Sequence, residues 1–143
     1  MEEKFRNPGV TADLIVENKK EEILLIKRKN EPFKGKWALP GGFLEYGKED
    51  LKGTGVRELK EETHLITKSK WLELIGVYSN PKRDPRGHTV TGVYAVLKYS
   101  GTPKYDDDAD GIGWFQRKSL CNLAFDHDEI MKDYYKWKER RIK

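Results

Sequence analysis

Glu58 is followed by Glu61 three residues on and by Glu62 four residues on, in the run Arg57-Glu58-Leu59-Lys60-Glu61-Glu62. On a helix of about 3.6 residues per turn, that spacing puts all three carboxylates in one sector of the surface. Like charges so placed repel: two unit charges 4 Å apart cost on the order of 4 kcal/mol at an effective dielectric of 20. A hard divalent cation relieves the repulsion, and oxygen-only ligands favour magnesium or manganese over zinc. Magnesium keeps part of its water shell and takes further ligands from substrate phosphates, so the pattern points to phosphate chemistry. The bland account of the same run is a solvated helix face laced with salt bridges, as most charge runs are. The glycine pair Gly41-Gly42 just upstream shifts the weight toward a built site.

Other residues could handle an anion. The loop 79–88 carries Lys82, Arg83 and Arg86 together with Pro81 and Pro85. Prolines stiffen such a loop, and guanidinium groups offer paired donors to phosphates and ribose. Its plainer reading is a hairpin loop with solvated charges. Arg28 and Lys29 either face a diphosphate or lie on the surface. Phe33 and Trp37 are candidates for stacking on a base, though aromatic residues beside a sheet are more often core. Thr11 and Asp13 alternate onto one face of a strand and could line a site together. Asp106, Asp107, Asp108 and Asp110 form an acidic knot that reads either as a solvated loop or as a source of a general base. His88 and His127 read as structural, His64 as exposed, and Cys121 as a small buried residue.

These residues need a frame. Residues 10–17 and 23–29 read as strands, and the polar turn 18–22 between them predicts a hairpin. Residues 31–36 are a loop; 37–39 are extended, and Pro40-Gly41-Gly42 breaks them off. Residues 49–65 predict the first helix, with a narrow apolar stripe of Leu51, Val56 and Leu59. Gly53 and Gly55 weaken that helix by about 1 kcal/mol each relative to Ala. Residues 71–79 and 88–99 are β-rich. Residues 106–113 read as an acidic loop, after which Trp114-Phe115 begins a short buried segment. A last helix starts near Asp126, which with Glu129 matches a capping box. Ile130, Tyr134 and Trp137 follow at helical spacing. Strands, helix, strands, helix: this order predicts an α/β fold, a mixed sheet with helices on its faces.

The 143 residues fit one domain, 1–143, with no repeat or linker, and 36% hydrophobic residues against 36% charged ones indicate an ordered core under a highly charged surface. A net charge of +4 suits an anionic small-molecule substrate. No nucleic-acid-binding module is visible. No apolar run approaches the roughly 20 residues of a membrane span, and no leader is visible. The single Cys121 excludes an internal disulfide and a cysteine-rich metal site, so the expected location is cytoplasmic.

The stretch from Gly41 to Leu65 resembles the Nudix box: Gly, five residues, Glu, seven residues, then Arg-Glu-hydrophobic-x-Glu-Glu-x-Gly-hydrophobic. Gly42, Glu49, Arg57, Glu58, Leu59, Glu61, Glu62 and Leu65 match it by type. The resemblance implies a Nudix-type α/β/α sandwich with a loop-helix-loop catalytic box. It implies Glu58, Glu61 and Glu62 as ligands of Mg2+ (or Mn2+), the Gly41 carbonyl as a further ligand, and a Glu49–Arg57 pair tying loop to helix. Three departures stand out. Six residues separate Gly42 from Glu49, so either the loop is longer near Lys48 or Lys48 takes the glutamate's place. The first alternative keeps Glu49 and buries Leu51. His64 replaces the family's helix-ending Gly, a residue suited to a left-handed turn. Gly111 stands where the family often has a Glu before Trp-Phe.

The run Pro81-Lys82-Arg83-Asp84-Pro85-Arg86-Gly87-His88 is similar to the ADP-ribose pyrophosphatase branch of that family, as are Arg6-Asn7-Pro8 and Leu123-Ala124-Phe125-Asp126-His127. The branch implies hydrolysis of ADP-ribose to AMP and ribose 5-phosphate, with Arg28, Pro81, Arg83 and Arg86 toward the substrate, and a homodimer. The general base is open between Glu58 or Glu62 and an acid of the 106–110 segment, Asp108 or Asp110. A nucleoside triphosphate or an NAD-related dinucleotide is the alternative substrate. A catalytically silent ADP-ribose sensor is the alternative role.

Overall fold

The chain runs β1 (Gly9–Ile15), β2 (Ile23–Arg28), β3 (Trp37–Ala38), β4 (Gly41–Phe43), α1 (Leu51–Thr63), β5 (Leu72–Tyr78), β6 (Thr89–Val96), β7 (Ala109–Phe115) and α2 (His127–Ile142) in the computed structural model, which describes residues 6–104 and 109–142. One sheet has the order β4-β1-β6-β5 and the other β3-β2-β7. Among the described residues only β1 and β6 pair in parallel, in register from Gly9 opposite Thr89 to Ile15 opposite Ala95; the other ladders described are antiparallel.

Alternation along the central strands makes a sandwich. Ala12 and Leu14 of β1, with Val16 just beyond its end, join Leu24, Leu59 and Leu65 in a core beneath α1. Ile15, with Ile23, Leu25 and Val93, faces the opposite way and packs under Ile130, Met131 and Tyr134 of α2. Each fully buried Leu or Ile in these layers contributes about 1.5–3 kcal/mol from leaving water. Helix α1 starts at Asp50, whose side chain caps the Gly53 N–H at 2.8 Å. Gly55 lets the helix lie close on β1: a Cβ there would come within 2.9 Å of Leu14 Cδ2. At the other end His64 takes the left-handed turn at φ 67° and donates its N–H to the Lys60 carbonyl at 2.9 Å. The turn the family gives to Gly is therefore made here by an exposed histidine.

Several expectations need correction. The 18–22 turn closes as a hairpin would, with a Glu17–Ile23 bridge at its base. Beyond it the strands part: β1 is flanked by β4 and β6, β2 by β3 and β7. Long-range partners take the edges that a hairpin would have used. The extended segment 37–39 does break off at Pro40, but the glycine pair is itself strand, because Gly41–Phe43 forms β4 against Thr11–Asp13. Residues 109–113 are not loop; they open β7 beside β2, where pairing with a buried strand overrides polar composition. Asp106, Asp107 and Asp108 lie outside the described residues. Asp126 does not supply the expected side-chain cap, since its carboxylate is held by Arg83. Cys121 is exposed rather than buried.

Candidate functional site

A cleft of about 420 Å³ opens where β4, α1, the loop before β6 and the loop before α2 meet. One wall is acidic. Glu62 projects from α1 and accepts the Gly41 N–H at 2.8 Å. Burial raises its pKa well above the ordinary carboxylate value; the Gly41 bond opposes this, and the charges of Glu58 and Asp13 add to it. One turn earlier, Glu58 is pushed up to about 7, again first by burial. Gly41 and Gly42 are what let the strand come this close. A Cβ on Gly42 would collide with the Glu58 carboxylate, and one on Gly41 with Asp13.

Arg57 stands behind this wall and ties the preceding loop to the helix. Its Nε and Nη2 reach Glu49 at 3.0 and 2.8 Å, and Nη2 also reaches the Phe43 carbonyl at 3.0 Å. Glu45 lies 3.0 Å from Nε, and Glu61 3.1 Å from Nη1. These bonds from Arg57 hold Glu49 down at about 2. They also raise the Arg57 pKa. Glu49 bonds the Glu45 N–H and the Thr54 hydroxyl as well, so the two loop ends are pinned together.

The facing wall is cationic and aromatic. Arg28, at the end of β2, donates its Nε to the Pro32 carbonyl at 2.6 Å and lies 5.0 Å from the Phe125 ring centre. Its pKa is lowered, first by burial and then by the neighbouring charge of Arg86. Arg86 is gripped by Asp84 at 2.8 and 3.1 Å and sits over both Phe43, at 5.2 Å, and Phe125, at 5.7 Å. Arg83 is buried. It pairs with Asp126 through two bonds of 2.9 and 2.8 Å and donates to the Thr89 hydroxyl at 2.7 Å, which fastens the loop before β6 to the start of α2. On the floor, Asp13 accepts the Thr91 hydroxyl at 2.7 Å. The buried His127 accepts the Leu39 N–H on Nδ1 at 3.1 Å, which places its proton on Nε2, 3.8 Å from Asp13. Burial lowers its pKa, with Asp13 opposing.

Of the residues singled out in the sequence, Gly41, Arg57, Glu58, Glu62, Arg28, Arg83 and Arg86 border this one cleft, as do Thr11 and Asp13. Glu61 does not: its side chain is 58% exposed and turned to Arg57. Glu49 acts behind the wall. Pro81 is exposed and off the cleft. Trp37 packs edge-on against Phe115 at the core, and Phe33 meets Phe125 instead of entering the cleft. His88 bonds the Ser79 carbonyl at 2.8 Å, a structural role. Gly111 lies in β7 beside Trp37 and Lys27. Glu45, Asp84, Phe43 and Phe125 were missed as site residues. Phe43 follows the glycine pair, where an aromatic residue on a short strand could have been read as a cleft wall. Phe125 gave no signal that separates it from core. Among the described residues no three acidic, histidine or cysteine side chains converge as a ready-made metal cage. The donor chemistry still suits a hard cation, because Glu58 and Glu62 are carboxylates whose charge burial disfavours, facing a cleft that a cation could enter.

The NUDIX domain pattern matches residues 7–138. The chain is 52% identical over 134 residues to the ADP-ribose pyrophosphatase of Methanocaldococcus jannaschii, covering 94% of this chain and 77% of that protein. The NUDIX domain of Shewanella oneidensis NrtR, solved in complex with ADP ribose, superposes with a TM-score of 0.82 at 28% identity, covering 94% of this chain and 90% of that one. A bifunctional NMN adenylyltransferase/ADP ribose pyrophosphatase from Francisella tularensis, solved with AMP and a Mn ion, superposes at 0.72 with 32% identity, covering 90% of this chain and 41% of that one.

Proposed function

The chain belongs to the NUDIX domain family, and from that premise we propose that it hydrolyses the diphosphate of a nucleoside diphosphate derivative, ADP-ribose foremost, to AMP and ribose 5-phosphate. One observation carries the reading: two carboxylates raised by burial face two guanidinium groups, Arg28 and Arg86, across one cleft. Such a cleft suits a pyrophosphate arriving with a cation. The 52% identical relative named for this activity supports the choice of substrate.

Glu58, Glu62 and the Gly41 carbonyl would hold a divalent cation, magnesium or manganese, with Glu61 joining if it turns from Arg57. When bound, the ion neutralises phosphate charge and lowers the pKa of a nearby water. The chain's own groups do the rest. Arg28 and Arg86 bind and orient the diphosphate oxygens. Glu58 and Glu62 border the cleft and are candidates to take the proton of the attacking water. Phe43 and Phe125 already accept the flat Arg86 guanidinium on their faces, so they suit a flat base. Arg83 keeps Phe125 and the Asp84–Arg86 segment in place through Asp126 and Thr89, and Pro81 braces the same loop from outside. Asp108 or Asp110 is the alternative source of the general base. We further propose a homodimer, since β5 is an open sheet edge exposing Leu74 and Val77. A cytoplasmic site is in keeping with an exposed, unpaired Cys121. Among the described residues no helix is long and apolar enough to cross a membrane.

The test is product release. With ADP-ribose and Mg2+ or Mn2+, AMP and ribose 5-phosphate should appear in equal amounts and stop appearing in EDTA. Glu62→Gln should lose at least about 100-fold in rate while keeping its circular dichroism. Tight ADP-ribose binding with no AMP above background would instead assign the chain to ligand sensing.

A further inference from the structure

Thr11 and Asp13 alternate with Ala12 and Leu14 along β1, so two polar side chains border the cleft while their neighbours enter the core. Asp13 is only 8% exposed, a burial at which a carboxylate needs partners. Among the described residues those partners lie on one oxygen. Oδ2 accepts the Thr91 hydroxyl at 2.7 Å and lies 3.8 Å from His127 Nε2. Both holders are themselves fixed: Thr91 is fully buried in β6, and His127 is tied through Nδ1 to the Leu39 N–H. Oδ1 is left without a donor. It lies against Gly41, where a Cβ would collide with it. The N–H of that glycine is bonded to Glu62, so Oδ1 sits at the foot of the acidic wall. The Asp13 charge acts on both Glu62 and Arg28.

We infer that Asp13 is a positioning residue for the cation of the proposed site, accepting on Oδ1 a hydrogen bond from a water of the ion's shell. The inference rests on the cation reading above and adds to it a residue from outside the helix. An ionised carboxylate can only accept, and a diphosphate oxygen has no proton to donate, so the two repel on direct contact. Glu62, bonded to the same glycine, is a second acceptor. A hydrated cation satisfies both, one through its charge and the other through its water. Magnesium takes one or two carboxylates directly and keeps several waters, which fits a site where, among the described residues, three acids do not converge. Thr91 and His127 set the direction in which Asp13 points, the part that outer partners play in metal sites.

Titration of the ion-free protein with Mn2+ alone, followed by the electron paramagnetic resonance of free Mn2+, reads this without nucleotide or turnover. Asp13→Asn keeps the shape, leaves one oxygen for Thr91 and turns an amide donor toward the cleft. It should raise the Mn2+ Kd about 10-fold or more. The number of waters on the bound ion, from proton relaxation, should not change. In EDTA its Tm should be no lower than the parent's, since one of the crowded negative charges is gone. Thr91→Val keeps the charge but frees Oδ2, and should raise the Kd at least about 3-fold. An unchanged Kd in Asp13→Asn, with or without a lower Tm in EDTA, would overturn the inference. One added water on the ion would make Asp13 a direct ligand and overturn it too. Glu62→Gln separates the two failures. If it leaves the Kd unchanged, the cation site itself is misplaced and the inference falls with it; if it weakens binding and Asp13→Asn does not, only the role of Asp13 falls.

Discussion

Glu58 and Glu62 carry a charge that their surroundings disfavour, and that has a signature in pH. Glu58 is ordinary near 4.5 when unfolded and about 7 when folded. Between those values the folded protein holds the extra proton, so this group's contribution is fully present below about 4.5 and is lost as pH rises through 7. His127 runs the other way: its folded pKa lies below 6.5, so its contribution is present above that value and fades as pH falls. The two trends overlap in the parent protein, but Glu58→Gln separates the acidic wall from His127, which is common to both; it also relieves Glu62 of the Glu58 charge. In EDTA the variant should gain on the parent by a few °C in Tm, on the order of 1 kcal/mol, as pH goes from 5 to 8. A difference that stays flat with pH would remove the buried-acid account. Spacing put these glutamates on one helix face, because helical periodicity is local, and the upstream glycine pair with the likeness to the Nudix box marked them as a site. That Glu61 leans away to Arg57 was not legible, since rotamer choice depends on the loop folded against the helix.

Arg57 and the loop before α1 form the unit that holds the acidic wall. The guanidinium reaches Glu45, Glu49, Glu61 and the Phe43 carbonyl at once. Lysine keeps the charge but has no planar fork with which to hold all of these partners. Arg57→Lys should thus cut kcat roughly 10–100-fold, as loss of an outer support does, and amide hydrogens of residues 44–50 should exchange faster. Unchanged exchange with unchanged kcat would show the loop to be held by other means. The longer spacing from Gly42 to Glu49 was a visible departure in the sequence, and Glu49 nevertheless lies on Arg57. The extra residue falls in a stretch with Tyr46 fully out in solvent and Gly47 at φ 74°. Gly55, which weakened the helix on propensity, turned out to mark a close approach to β1, at Leu14. Propensity reports on the isolated segment and cannot see a neighbour's side chain.

At the scale of the whole molecule, an ion that binds only the folded cleft must stabilise the fold. At about 100 times its Kd the gain is about 2.7 kcal/mol, or roughly 5–10 °C for a domain of this size. Thermal unfolding with and without Mg2+ or Mn2+ should show that rise, and Glu62→Gln should abolish it; a variant that still responds fully would place the ion elsewhere. A mixed sheet with helices on its faces was readable from the order of elements, and the sandwich was implied by the resemblance to the Nudix family. The division into two sheets was not, because nothing near the 18–22 turn announces partners far along the chain. The parallel β1–β6 ladder is such a partnership, and the Thr91–Asp13 bond spans 78 positions. During synthesis β1 must therefore wait, unpaired on that side, until β6 leaves the ribosome, and the Leu39–His127 bond waits longer still. A nascent chain halted just after β7 has its glutamates but no Phe125 or His127. Nucleotide capture thus becomes a late checkpoint of biogenesis, acquired only when the last helix has emerged and docked.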